Sequence, residues 1–147
     1  MAKILVIGGS GFLGSHVADT LTNQSHEVFI FDMVKSKYLS SSQKMIVGDI
    51  LDKKLIDESI SKVEYVYHFA AIADIKEAKD NPIESARFNI IGTLNILDAC
   101  KKFNIKRIIF SSSIYVYSNH GSFYRTTKQS CELFIENYFE EFNLNYT

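Results

Sequence analysis

The chain has few of the residues that interrupt or cross-link secondary structure. Its 147 residues include one proline, no tryptophan and two cysteines, Cys100 and Cys131, which form no CxxC pattern. A disulfide framework or a zinc site is therefore not expected, and both thiols should stay reduced. The four histidines share no ligand spacing either, so we expect no metal site.

The sequence also lacks an excess of charge and any long apolar run. Sixteen Lys and Arg against seventeen Asp and Glu leave a formal charge of −1, which gives no case for nucleic acid. No apolar stretch approaches the ~18 residues of a membrane span, and the N-terminus leads directly into a strand pattern. We therefore expect a cytoplasmic protein, and the length predicts one domain over residues 1–147.

Short apolar runs alternate with longer helical patterns along the chain. The first run, KILVI, is a continuous apolar stretch of the kind found in strands buried on both faces. Strands are predicted at 3–7, 27–31, 44–47, 64–69 and 107–110. Helices are predicted at 12–22, 52–60, 82–103 and 122–142. Strands separated by helices predict a doubly wound α/β domain: a parallel sheet with helices on both faces.

Helical spacing also predicts which side chains face the core. The expected inward positions are Leu13, Val17 and Leu21 in the first helix, Phe88, Ile91, Leu94 and Leu97 in the third, and Leu133, Phe134, Tyr138 and Phe142 in the last.

Four of the seven glycines fall between positions 8 and 14, between the first strand and the first helix. Gly8 would let the chain turn tightly, Gly11 would let backbone approach a pyrophosphate, and Gly14 would let the helix pack closely on the sheet. The helix N-terminus would then offer unpaired N–H groups to the phosphates. This pattern favours a dinucleotide site. The alternative is a glycine-rich connection that binds nothing.

Two aspartates follow later strands. Asp32 ends the second strand, where a carboxylate can accept hydrogen bonds from both adenosine ribose hydroxyls and repel a 2′-phosphate. This favours NAD, although Lys35 and Lys37 nearby could assist a phosphate, and Asp32 could simply cap the strand. Asp49 follows the third strand, where it could meet the adenine amine or belong to a helix-capping loop.

A second group of polar residues lies downstream, at and after the fifth strand. Ser111 and Ser113 follow that strand at its carboxyl end, and Tyr124 and Lys128 are one helical turn apart. A Lys ammonium near a phenol should lower the pKa of the tyrosine, and a serine hydroxyl can hold a substrate oxygen. Such a set can transfer a proton between a carbinol and a carbonyl. The alternative is a surface pair beside a serine-rich turn.

Together these stretches resemble the extended short-chain dehydrogenase/reductase family, in particular its NAD-dependent epimerase/dehydratase group, which acts on nucleotide sugars. The resemblance rests on GGSGFLG at 8–14, Asp32, GDI at 48–50, HFAA at 68–71, Asn81-Pro82, NIIGT at 89–93, FSSS at 110–113, and Tyr124 with Lys128. They follow the family's order across the whole chain and imply a Rossmann-like fold.

The resemblance implies a cofactor role for most of these positions. The residues implied to bind NAD are Gly8, Gly11, Phe12, Leu13 and Gly14 at the pyrophosphate, Asp32 and Met33 at the adenosine ribose, Asp49 and Ile50 at the adenine, Phe69, Ala70 and Ala71 along the cofactor, and Asn89, Ser111, Tyr124 and Lys128 around the reacting end. Asn89 would brace the site.

The resemblance also implies the chemistry. Ser113, Tyr124 and Lys128 would be catalytic, with Tyr124 as acid or base and Lys128 at the nicotinamide ribose. The implied activity is epimerisation or dehydration of a UDP-, dTDP- or GDP-linked sugar. Two alternatives stay open: an NAD-binding module without turnover, and a reductase of non-sugar alcohols or ketones.

Two features depart from the family. Only ten residues separate Ser113 from Tyr124, where the family usually has a longer loop. Family chains are also longer, so we expect an N-terminal cofactor half, truncated before the substrate lobe. Its fifth strand should then present an unpaired edge, which favours self-association. The family resemblance implies a homodimer through the helices at 80–103 and 122–142.

Overall fold

A computed structural model describes residues 1–147 and contains the predicted parallel sheet. Five strands lie in the order β3-β2-β1-β4-β5, and every neighbouring pair is parallel. The strands are β1 (Lys3–Ile7), β2 (Glu27–Asp32), β3 (Lys44–Val47), β4 (Tyr65–His68) and β5 (Arg107–Phe110). Each lies within a residue of its predicted bounds, so the doubly wound α/β fold is confirmed.

Six α-helices and two short helical segments connect and cover the sheet. The α-helices are α1 (Phe12–Asn23), α2 (Lys53–Ile60), α3 (Ile75–Asp80), α4 (Pro82–Ala86), α5 (Gly92–Lys102) and α6 (Ser122–Phe142). A π turn (Arg87–Ile91) joins α4 to α5, and a 3₁₀ segment (Ile114–Tyr117) follows β5. None of these helices combines the length and the apolar character that a membrane crossing needs.

The sheet is buried on both faces, and β1 shows this most clearly. Leu5 and Ile7 belong to a cluster of sixteen buried residues that also includes Ile56 of α2, Leu97 of α5 and Ile135 of α6. Alternate residues of β1 join a second cluster of six with Ala18 and Leu21 of α1. Successive strand residues point to opposite faces, which is why β1 has no polar position between Ile4 and Ile7.

The predicted helix at 82–103 is helical throughout, but its middle turn is a π turn. The wider turn shifts the side-chain register, and Ile91, expected inward, is 48% exposed. Phe88 and Leu94 pack against the core and Leu97 is fully buried, as expected. Helix α3 was not predicted; the Asp74 carboxylate caps it by accepting from the Glu77 N–H.

The inward face of α6 was predicted correctly at Tyr138, which packs against the core, and wrongly at the other three positions. The buried positions are Thr127, Lys128, Cys131 and Ile135, whereas Leu133, Phe134 and Phe142 are exposed. Apolar spacing misled the prediction because the buried stripe of α6 begins with two polar residues. In α1, Leu13 is likewise exposed, since it lies in the first turn beyond the packed part of the helix.

The outer edge of β5 is occupied by residues 145–147. The Ile108 N–H donates to the Asn145 carbonyl at 2.9 Å, and the Thr147 N–H donates to the Ile108 carbonyl at 3.0 Å. The Phe110 N–H donates to the Thr147 carbonyl at 2.9 Å. The expectation of an unpaired β5 edge is therefore wrong, because the following segment already pairs with it.

Candidate active site

The glycine turn between β1 and α1 has the close contacts that its sequence predicted. Gly8 has φ +80°, and a Cβ there would lie 2.5 Å from the Ala70 nitrogen. A Cβ on Gly14 would collide with the Gly8 carbonyl oxygen. A Cβ on Gly11 would meet only that same oxygen, at 3.4 Å, so Gly11 borders open space. Gly8 and Gly14 thus need glycine for the turn and for packing, while Gly11 leaves the turn open to a ligand.

Helix α1 starts at this turn with its N-terminus open. Gly11 is the N-cap residue of α1, and no side chain caps the helix there. The first two helical residues, Phe12 and Leu13, are 80% and 57% exposed. Unpaired N–H groups and the positive end of the helix dipole therefore face solvent beside the glycines.

A cavity of about 540 Å³ lies over the glycine turn, at the carboxyl ends of the strands. Half of the residues predicted to bind the cofactor line it: Gly8, Gly11, Asp32, Met33, Ile50, Phe69, Ala70 and Ala71. Lining residues that sequence reasoning did not assign to the cofactor include Val34, Ile72, Glu77 and Phe88. Most of these are apolar side chains, which carry no motif signal in a sequence.

Asp32 is held at the mouth of this cavity by two backbone amides. The Ser10 N–H donates to Asp32 Oδ2 at 3.0 Å, and the Val34 N–H donates to Oδ1 at 3.1 Å. The Ser10 hydroxyl also donates to the Val34 carbonyl, which ties the glycine turn to the segment after β2. The cavity lining contains no Lys or Arg, so Lys35 and Lys37 do not contribute a cationic wall to it.

Asp49 does not line the cavity, although both of its neighbours do. Its Oδ1 accepts from the Leu51 N–H at 2.9 Å, in the local turn that the alternative interpretation described. Gly48 is confined, because a Cβ there would collide with Leu55.

Lys128 of α6 is almost fully buried beside the carboxyl end of β5. Its ammonium donates to the Ser111 carbonyl at 2.8 Å and lies 4.5 Å from the centre of the Phe110 ring. Burial lowers the pKa of Lys128 to about 8. A buried cation with one protein hydrogen bond keeps donors free for a ligand.

Tyr124 lies one turn before Lys128, with its ring centre 5.8 Å from the ammonium. Burial raises the pKa of Tyr124, and hydrogen bonding to the Ser113 hydroxyl partly opposes that rise. The expected lowering of this pKa by Lys128 is not found, because the ammonium is directed to Ser111.

Asn89 joins the cavity over the glycine turn to α6. It is buried in the π turn, where its Oδ1 accepts from the Ile72 N–H at 2.7 Å. Its Nδ2 donates to the Ile72 carbonyl at 3.1 Å and to the Thr127 hydroxyl at 3.0 Å. Because Ile72 lines the cavity and Thr127 precedes Lys128, Asn89 fixes the distance between the two parts of the site.

His68 of β4 is 1% exposed. Burial, with a smaller effect of the nearby Lys128 charge, lowers the pKa of His68 to about 3, so the ring is neutral. Its Nε2 lies 2.9 Å from the Thr93 hydroxyl, which donates to the Asn89 carbonyl at 2.6 Å. The thiol of Cys131 donates to the same carbonyl. Sequence reasoning gave Thr93 and Thr127 no separate role.

Known proteins share the sequence pattern and the fold of this chain. The sequence profile of the NAD dependent epimerase/dehydratase family matches residues 4–147. The chain belongs to this family. Among its curated relatives, the UDP-glucose 4-epimerase of Yersinia enterocolitica is 35% identical over an alignment of 128 residues that covers 78% of this chain and 38% of that protein. The UDP-N-acetyl-alpha-D-glucosaminuronate decarboxylase of Bacillus cytotoxicus is 39% identical over 121 residues, covering 78% of this chain and 37% of that protein.

Solved structures of the family have the same fold. The UDP-glucose 4-epimerase of Thermotoga maritima, solved with UDP-glucose, superposes with a TM-score of 0.92 at 30% identity over 98% of this chain. The UDP-glucose 4-epimerase of Brucella ovis, solved with NAD, gives 0.89 at 31% identity over 99%. The chain spans 53% and 50% of those two proteins. NAD is thus the cofactor of the family to which this chain belongs.

Proposed function

We propose that this chain is the cofactor-binding and proton-transfer part of an NAD-dependent nucleotide-sugar epimerase or dehydratase. The observation that carries the proposal is the link through Asn89. It joins a cavity built on the glycine turn to the helix that bears Tyr124 and Lys128. A plain glycine-rich connection would need neither the cavity nor the buried lysine.

The residues of the cavity fit NAD. Its volume of about 540 Å³ is that of a ligand pocket, the open side of Gly11 leaves room for a pyrophosphate, and Asp32 offers both carboxylate oxygens to a ribose. In this proposal Gly8, Gly11 and the N-terminus of α1 hold the pyrophosphate. NAD, when bound, supplies the acceptance and return of a hydride.

The remaining steps belong to the chain's own residues. Tyr124 would take the proton from a sugar hydroxyl and return it later, acting as base and then as acid. The Ser113 hydroxyl would hold the same sugar oxygen. The free N–H donors of Lys128 would bind the nicotinamide ribose.

For the substrate, we propose a UDP-linked sugar. The two relatives and the two solved structures named above have UDP-sugars in their names or titles, and none concerns a non-sugar ketone. This favours the sugar over the small alcohol or ketone that the sequence left open. Epimerisation is preferred over dehydration, since three of these four proteins are epimerases.

Substitution of Tyr124 by Phe in the full-length protein tests this function. Turnover of the UDP-sugar should fall by about 10²–10⁴-fold, which is the usual contribution of a general acid or base. Affinity for NAD should change little. Tyr65→Phe is the matched control, because Tyr65 begins β4 and so lies at the amino ends of the strands, away from the site. Unchanged turnover in Tyr124→Phe would refute the role of Tyr124 as acid or base.

An NAD-binding module without turnover is the second candidate. The observation in its favour is that the lining of the cavity over the glycine turn includes none of Ser113, Tyr124 and Lys128. Isothermal titration separates the candidates: a module binds NAD and no UDP-sugar, whereas the full-length enzyme binds both.

We also propose that the full-length protein forms a homodimer through the helices at 80–103 and 122–142. Large apolar side chains on these helices are exposed in the single chain: Ile83, Ile91, Leu133 and Phe134. Sedimentation velocity should show a dimer that Leu133→Glu weakens. A monomer across the micromolar range would refute this assembly.

A further inference from the structure

Two side chains of α6 hold the segment that leads from Ser113 to Tyr124. Nη1 of Arg125 donates to the Ser118 carbonyl at 2.8 Å, and Nε2 of Gln129 donates to the Val116 carbonyl at 2.8 Å. The two residues are four positions apart, so they lie on one face of the helix. Both hydrogen bonds therefore tie the same stretch of backbone to the helix of Tyr124 and Lys128.

Ser113 stands at the start of this segment and is coupled to it. It is the N-cap of the 3₁₀ segment: its hydroxyl accepts from the Tyr115 N–H at 3.3 Å, and its carbonyl accepts from the Val116 N–H at 3.1 Å. A movement of the 3₁₀ segment would therefore carry Ser113 with it.

Apolar packing holds the segment only weakly. Ile114 is 82% exposed and Tyr117 is 89% exposed, and Val116 is the only buried residue of the four. At the far end, Gly121 has φ +97°, and a Cβ there would lie 2.7 Å from the Cβ of Tyr115. The segment thus closes tightly onto α6 at its end, while its middle depends on the two hydrogen bonds from α6.

We propose that Arg125 and Gln129 are positioning residues that fix the 3₁₀ segment against α6 and so set the place of the Ser113 hydroxyl relative to Tyr124. The proposal rests on the proposed function, in which these two hydroxyls act on one sugar oxygen. It also accounts for the short connection of ten residues between them, because side chains of α6 hold the backbone that a longer loop would otherwise have to stabilise itself.

The protonation of Tyr124 separates this role from a merely structural one. Hydrogen bonding to Ser113 lowers the pKa of Tyr124, so a displaced Ser113 lets that pKa rise. The other ionisable groups near Tyr124 are Lys128 on the same helix and Tyr115 on the segment, and His68 of β4 faces Lys128. The test leaves all three unchanged. A loss of stability alone would not move the pH profile.

The experiment compares Arg125→Met and Gln129→Met in the full-length protein, each measured singly, with Thr126→Ala as the control on the same helix. The exposed Thr126 hydroxyl reaches only its own helix, at the Ser122 carbonyl. In both variants kcat should fall about 10- to 100-fold with little change in the KM for NAD. The acidic limb of the pH–rate profile should move up by about half to one unit, the size of one lost hydrogen bond.

Two further variants keep the result decisive if a methionine variant folds poorly. Arg125→Lys retains a donor and should restore most of kcat, whereas Gln129→Glu keeps the length but puts an acceptor against the Val116 carbonyl and should not. In a Ser113→Ala background the substitutions should cause no additional pH shift.

The proposal is overturned if the variants lower only the unfolding midpoint while kcat and the pH profile stay as in the parent. It is also overturned if the same pH shift appears in the Ser113→Ala background. Failure of the proposed function looks different, since it appears as full turnover in Tyr124→Phe.

Discussion

Lys128 illustrates how a single residue of the site works against the stability of the fold. Its ammonium is buried with one protein hydrogen bond, to the Ser111 carbonyl, and its pKa is lowered from its usual value to about 8. The folded state therefore disfavours the charge that a ribose-binding role requires. Functional residues with a shifted pKa often lower the stability of the fold in this way.

Replacement of Lys128 by Met should therefore stabilise the chain at neutral pH, on the order of 1–3 kcal/mol. The pKa of Lys128 is lower in the folded than in the unfolded state, so below pH 8 the buried charge lowers the free energy of unfolding by its full amount. This destabilisation shrinks as the pH rises and disappears above the unfolded pKa of 10.5. Urea unfolding across pH 7–10.5 measures the difference, with the exposed Lys79→Met as control. A Met variant that is less stable at pH 7 would contradict the account.

The π turn between α4 and α5 is the element that connects the two parts of the site. Its central residue, Asn89, has its side chain bound to Ile72 and Thr127 and its carbonyl bound to the hydroxyl of Thr93. Since His68 Nε2 contacts that hydroxyl while the hydroxyl donates to Asn89, the neutral ring carries its proton on Nε2. The turn is thus locked by buried hydrogen bonds.

Thr93→Val should weaken this element. The substitution keeps the shape but leaves the Nε2 proton of His68 and the Asn89 carbonyl with fewer partners, so we expect a loss of about 1–3 kcal/mol. Affinity for NAD should fall as well, because Asn89 would hold Ile72 less firmly. Chemical denaturation and NAD titration measure both effects, and Thr93→Ser, which retains the hydroxyl, should stay close to the parent. A Val variant as stable as the parent would show that the network contributes nothing.

The strands were predictable because strands buried on both faces are continuous apolar runs, as in β1. The glycine turn was predictable because Gly8 and Gly14 meet backbone atoms that leave no room for a side chain. The inward face of α6 was not, because Thr127 and Lys128 are buried by the site that they help to form. Local periodicity also contains no signal for the π turn or for the 3₁₀ segment.

For the whole molecule, contacts between residues far apart in the sequence limit what can be predicted from the sequence. The motifs predicted a set of site residues, but spacing along the chain does not predict that Asn89 reaches both Ile72 and Thr127. It also does not predict that residues 145–147 cover the edge of β5. That pairing removes the unpaired β5 edge as a reason to expect self-association. The remaining reason is the exposed apolar side chains of α4, the π turn and α6.

Calorimetric titration of NAD and NADP into this chain and into its Asp32→Asn variant tests the cofactor site most directly. We expect one NAD site, weaker binding of NADP, and a loss of NAD affinity of about 10- to 100-fold in the variant, since a charged acceptor at the ribose is lost. Asp80→Asn, an exposed substitution at the end of α3, should bind NAD like the parent. A folded chain that binds no NAD, or that binds NADP more tightly than NAD, would contradict this assignment of the site.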